Sequence, residues 1–114
     1  MLKDDLIRLR HMLDAAKEAL SFIAEKSRVD LNTNRMLVLS LIKDIEIIGE
    51  ATGRVSATTR NEHEEIPWLD IIDMRNHLIH VYFDIDLDIL WDTVINDLPP
   101  LIAELEKIIT AEKK

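Results

Sequence analysis

Residues 2–26, LKDDLIRLRHMLDAAKEALSFIAEK, place Leu2, Leu6, Leu9, Leu13, Ala16, Leu20 and Ile23 at alternating spacings of four and three. Such a stripe is what one helix offers to its neighbour in a bundle, and it predicts a first helix from about Leu2 to Lys26. Asp30 and Asn32 interrupt the pattern with N-cap chemistry. The phase then returns at Val38, Leu41, Ile45, Ile48, Thr52 and Val55, so a second helix is expected from about Thr33 to Ala57. A polar run, Thr58 to Glu65, leads to Pro67, whose fixed φ and missing N–H suit a first helical turn. A third helix is expected from there to about Tyr82. Asp84 and Asp86 offer caps for a fourth, which carries Leu87, Leu90, Val94, Leu98, Leu101, Leu105 and Ile108 on one stripe. That stripe crosses Pro99 and Pro100 in phase, although each ring removes a donor and crowds the carbonyl four residues back; it reads as one long helix with a bend. No strand-like alternation or repeat competes. The fold class is therefore all-α, an antiparallel four-helix bundle with a Pro-bent last helix.

Composition sets the outer bounds. A chain of 114 residues, 47% of them apolar, suits a single domain over residues 1–114 with one core. It has no run of about 18 apolar residues, so no membrane span is expected. The first twenty residues interleave charges with apolar side chains, unlike a secretory signal, and a cytoplasmic location is expected. With no Cys, disulfides, thiolate catalysis and Cys-bound zinc are all removed. The net charge of −8 is uneven: residues 1–60 hold ten Lys/Arg against nine Asp/Glu, and residues 61–114 hold four against thirteen. General nucleic-acid binding by the whole surface is excluded. RNA contacts would have to come from a local patch around Arg75, with cations such as Arg8, Arg10, Arg35, Lys43 or Arg54.

The chemically loaded stretch is Arg75-Asn76-His77-Leu78-Ile79-His80-Val81-Tyr82. On a helical wheel Ile71, Met74, Leu78 and Val81 define a buried face, while Asp73, Asn76, His77 and His80 gather on the polar side. Arg75 and Tyr82, seven residues apart, lie about 20° from each other. An Arg fork suits phosphate oxygens, and His exchanges protons near neutral pH. RNA supplies its own 2′-hydroxyl nucleophile, so a base, an acid and a cation for the phosphorane suffice without a metal. On a regular helix, however, Arg75 and His80 diverge by about 140°. Either the helix distorts near His80, or two chains line a shared cleft about a twofold axis.

Other readings compete with this one. Asp73, His77 and His80 have spacings that could hold a transition metal on one helix face, although adjacent turns of one helix rarely complete such a site. Gly49, costly inside a helix, points to a close helix contact, and Glu50 either packs there or reaches the cleft to orient Arg75. Trp68 and Trp91 read as packing anchors rather than base-stacking platforms. His11 and His63 carry no role.

Arg75, four residues, His80, one residue, Tyr82 resembles the signature of the HepT toxins within the HEPN superfamily. Ile45-Glu46-Ile47-Ile48-Gly49-Glu50-Ala51 is similar to that family's second helix. Glu65-Ile66-Pro67-Trp68 with Ile71-Ile72-Asp73-Met74-Arg75-Asn76 is similar to the start of its catalytic helix. Asp86-Leu87, Trp91 and Asp97-Leu98-Pro99 resemble its last helix. The resemblance runs from about Asn34 to Ile109.

The resemblance implies a HEPN-like homodimer and a metal-independent ribonuclease with no cofactor, using Arg75, His80 and the polar Asn76 at the dimer cleft. It further implies an MntA-like nucleotidyltransferase antitoxin that neutralises the toxin by attaching AMP to Tyr82. His77 departs from the pattern as an extra imidazole, either assisting or merely lying on the surface. The rival function class is a noncatalytic helical dimer that serves as a partner-binding module for a nucleotidyltransferase.

Overall fold

The computed structural model describes residues 1–81 and 84–112, with the backbone alone described at residues 79–81. Helix α1 (Lys3–Phe22) is followed by a 3-10 turn (Arg28–Asn32), α2 (Arg35–Gly53), α3 (Ala57–Glu62) and α4 (Trp68–Leu78). A two-stranded antiparallel ribbon, β1 (Ile79–Val81) and β2 (Asp84–Ile85), leads to α5 (Leu87–Asp92), a π-helical turn (Thr93–Asp97) and α6 (Leu98–Glu112). The four expected helices correspond to α1, α2, α4 and the α5–α6 run, so the fold is all-α with several helices. Among the described residues it also holds a short helix and a small ribbon that the four-helix expectation lacks.

Helix α1 packs along α2 and α6, and α2 also packs on α4. Because α1 lies against two neighbours, its buried arc is centred on Leu9, Met12, Ala15, Ala16 and Ala19. Leu6, Leu13 and Leu20 only flank it, and Leu2 is 64% exposed. Of the expected stripe Leu9 and Ala16 are fully buried, while beside Leu6, Leu13 and Leu20 it is the neighbouring Asp5, Met12 and Ala19 that are buried. On α2 the expected stripe holds: Val38, Leu41, Ile45, Ile48, Thr52 and Val55 are all buried. Each such large aliphatic side chain stabilises the fold by roughly 1.5–3 kcal/mol, enough to carry one unfavourable neighbour. That neighbour is Asp44, whose buried carboxyl is pushed up to about 7 by burial and by the hydrogen bond and charge of Glu18. Its Oδ2 has no hydrogen-bond partner.

Asp86 caps α5 as expected, accepting from the Ile89 N–H at 3.1 Å, but the caps before α2 shift. Asp30 closes the 3-10 turn by accepting from the Ser27 N–H at 2.7 Å, and Asn34 caps α2 by accepting from the Leu37 N–H at 3.0 Å. The stretch expected to be an irregular polar run contains α3, capped by Ser56. It is held by the buried Asp5 of α1, which accepts from the Ser56 N–H (3.0 Å), Ser56 Oγ (2.6 Å) and Thr59 Oγ1 (2.6 Å). Burial alone would push this carboxyl up, but these hydrogen bonds outweigh it and leave it below the ordinary value.

The Pro99–Pro100 pair is accommodated as the unbroken register implies. Immediately before it the chain widens into a π turn, in which the Leu98 N–H bonds to the Thr93 carbonyl five residues back. Leu90, Val94, Leu98, Leu101, Leu105 and Ile108 stay buried on both sides of it. Among the described residues, no helix is long and apolar enough to cross a membrane.

Candidate active site on helix α4

Three anchors fix α4. The Pro67 carbonyl accepts from the Ile71 N–H at 3.0 Å, starting the helix where proline's missing donor does no harm. Trp68 is buried, and its indole N–H reaches the carbonyls of His63 (3.0 Å) and Arg60 (3.1 Å), so it is a packing anchor. Gly49 of α2 faces the backbone of α4: a Cβ there would lie 3.6 Å from the Ile71 oxygen and 3.8 Å from the Ile72 oxygen. The glycine is therefore a close helix contact.

Beside that contact is an open concavity of about 340 Å³, lined by Glu46, Gly49, Glu50, Ile72 and Arg75. The half-exposed Arg75 donates from Nε to Glu46 Oε1 at 3.0 Å. Its terminal nitrogens have no hydrogen bond to another described residue. Glu46, not Glu50, thus orients Arg75 within this chain; Glu50 accepts from Arg54 at 3.2 Å and lines the same concavity. Glu46 was not singled out by the sequence, because which of two carboxylates one turn apart meets Arg75 depends on where α4 crosses α2. Of the proposed cations, Arg8 and Arg54 line an adjoining concavity with His11 and Glu50, whereas Arg10, Arg35 and Lys43 line neither. Asn76 is exposed and lines neither as well.

The expectation of a helix reaching Tyr82 is corrected: α4 ends at Leu78, where the Leu78 carbonyl accepts from the Asp86 N–H at 2.8 Å. The next residues, Ile79-His80-Val81, form β1. Ile79 pairs with Ile85 and Val81 with Asp84, which makes His80 the extra residue of a β-bulge. A run of β-branched and aromatic residues, Ile79 to Phe83 around His80, was the signal for strand over helix. The wheel angles therefore stop applying beyond Leu78. His80 is not bound to a 140° divergence from Arg75, and Asp73, His77 and His80 do not share one helical face. Tyr82, and with it the expected seven-residue separation from Arg75, lies outside the described residues.

The opposite flank of α4 is different. Asp70, Ile71, Met74 and His77 line a cavity of about 450 Å³ between α4 and α6, closed by Thr93, Asn96, Asp97, Pro100, Leu101 and Glu104, with Glu65, Ile66, Pro67 and Ile89 at its ends. His77 lies about 200° round the helix from Arg75. The extra imidazole and Arg75 are thus on separate faces. Asp97 at this rim has its carboxyl pushed up by burial and by nearby Asp92.

Residues 12–108 match the Ribonuclease HepT-like family. The chain belongs to this family. Over 96% of its length this HepT-like chain is 36% identical to a Methanocaldococcus jannaschii protein named "Gamma-glutamylcyclotransferase and putative RNase MJ0434", of which it spans about half (49%). It is also 36% identical to "Probable ribonuclease HepT" of Thermococcus cleftensis, with 84% of this chain and 91% of that protein covered. No solved structure matches this HepT-like chain.

Proposed function

We propose that this chain is a metal-independent endoribonuclease toxin that acts as a homodimer and cleaves RNA in a cleft at the dimer interface. The observation that carries this reading is Arg75: an exposed guanidinium, oriented by Glu46 at 3.0 Å, facing an open concavity on the helix that delivers His80.

In this reading one His80 takes the proton of the 2′-hydroxyl while that oxygen attacks phosphorus. Arg75 donates to the equatorial oxygens of the phosphorane, and the His80 of a second copy returns a proton to the departing 5′-oxygen. The products are a 2′,3′-cyclic phosphate and a free 5′-hydroxyl. Asn76 orients the substrate beside Arg75. The β-bulge supports this assignment, because bulges re-aim a side chain beside active sites and free His80 from helical register. His77, on the other flank of α4, has no part in the chemistry.

The same reading makes Tyr82 the control point. An MntA-like nucleotidyltransferase antitoxin transfers AMP from ATP to its hydroxyl, releasing pyrophosphate, and the bulky anionic nucleotide blocks the cleft. Mass spectrometry of the chain produced together with its nucleotidyltransferase tests this half: AMP on Tyr82 is expected, and an adduct solely on another residue contradicts it. For the catalytic half, His80→Ala must lose RNA cleavage and growth arrest, and activity that survives it contradicts the assignment.

A further inference from the structure

The concavity next to Arg75 carries chemistry that the catalytic reading leaves unused. Arg8 and His11, one turn apart on α1, face Glu50 and Arg54 on α2 across a depression of about 150 Å³. Glu50 lines both this depression and the one that holds Arg75, so the two adjoin at that side chain. Glu46 and Glu50 are one turn apart on that helix and Arg54, the residue that closes it, follows four positions later, about 6 Å per step, so Arg54 lies about 12 Å along the α2 axis from the carboxylate holding Arg75. Two guanidiniums and an imidazole thus stand against one carboxylate in a chain of net charge −8.

We propose that the α1–α2 depression formed by Arg8, His11 and Arg54 is a phosphate-backbone subsite that carries a single RNA strand away from Arg75. The inference rests on the ribonuclease reading and gives its substrate a direction. Glu50 and Arg54 are both well exposed, and exposed ion pairs of this kind are weak. A phosphate, offering more acceptor oxygens and the same charge, displaces Glu50 from the guanidinium. The free carboxylate is a placeholder that orders Arg54 until RNA arrives. Across α4 the cavity is lined by Glu65, Asp70, Asp97 and Glu104 and, among the described residues, by no Lys or Arg, which repels the strand from that side.

The test uses the full chain carrying His80→Ala, which leaves RNA intact, and a fluorescein-labelled single-stranded RNA of twelve mixed nucleotides. Binding is followed by fluorescence anisotropy at several NaCl concentrations. For single strands each neutralised phosphate contributes about −0.7 to the slope of log affinity against log salt. The added pair Arg8→Gln and Arg54→Gln is expected to flatten that slope by about 1.4 and to weaken binding about tenfold at 0.1 M salt. Glu50→Gln is expected to do the opposite and tighten binding, a gain that no folding defect can mimic. Asp70→Asn, across α4, is expected to change neither. An unchanged slope in the double Arg variant, or no gain from Glu50→Gln, overturns the subsite while leaving the catalytic reading standing. A His80→Ala chain that binds no RNA under any condition overturns both.

Discussion

On its α2 side, helix α4 presents Ile72 and Arg75 to a shallow concavity shared with Glu46, Gly49 and Glu50; on its α6 side it presents Asp70, Met74 and His77 to a deeper cavity. The shallow side has its cation paired with one carboxylate and adjoins the Arg8 and Arg54 depression. The deep side has an apolar floor and four rim carboxylates and, among the described residues, no Lys or Arg. Size alone would select the α6 side as the site. The proposed function takes the other, where Arg75, Arg8 and Arg54 together outnumber Glu46 and Glu50, since a polyanion is drawn to guanidiniums and repelled by carboxylates. The comparison also separates two imidazoles that are three residues apart in sequence: His77 belongs to the acidic cavity, and His80 to the ribbon beyond the helix.

The strongest way to break this contrast is His80→Ala. If the chemistry is on the Arg75 side, RNA cleavage by purified protein falls by about a hundred- to ten-thousandfold, the range for one general acid or base. A smaller loss is expected from Glu46→Ala, which leaves Arg75 in place but unoriented. The cleavage rate at saturating RNA falls by about tenfold, as misplacement of a catalytic group typically costs up to a hundredfold. RNA affinity is unchanged or improved, because a competing carboxylate is gone. Equal losses in rate and affinity would mean that Glu46 merely holds the fold.

Two stability measurements sharpen the comparison away from catalysis. Asp44 has a folded-state value near 7, well above that of an ordinary carboxyl, so the native chain holds the extra proton between about pH 4 and pH 7. The stability this provides is present at low pH and is lost as pH rises through about 7. Asp44→Asn should therefore raise the unfolding midpoint clearly at pH 8 and little at pH 5, and Asp97→Asn on the α6 flank should shift it in the same direction by less. Gly49→Ala on the α2 flank has the smallest effect. Its new methyl meets carbonyl oxygens at 3.6 and 3.8 Å, ordinary contact distances. The helix propensity gain of about 1 kcal/mol should then appear as slightly higher stability in a denaturant titration.

Much of the helical frame was legible because long stripes report burial directly: the α2 stripe and the Leu90 to Ile108 stripe are buried as spaced, proline pair included. Stripe reading fails where the core is made of small residues, as at Ala15 and Ala19, or where a helix is too short for a period, as in α3. At the site, the close helix contact at Gly49 was legible, whereas the helix end at Leu78 was not. Continuing a 3.6-residue period through Ile79-His80-Val81 ignored their preference for extended backbone. The choice of Glu46 over Glu50 is set by a crossing of two helices, information that no local pattern contains.

The most direct test sets the two flanks of α4 against each other in one RNA cleavage assay, comparing Arg75→Ala with His77→Ala at equal folded concentration. Arg75→Ala is expected to lose at least a hundredfold in rate, and His77→Ala to stay within about twofold, because the proposed function puts the scissile phosphate on the α2 side alone. A His77→Ala chain as impaired as Arg75→Ala, or an Arg75→Ala chain that cleaves at the native rate, would contradict the account.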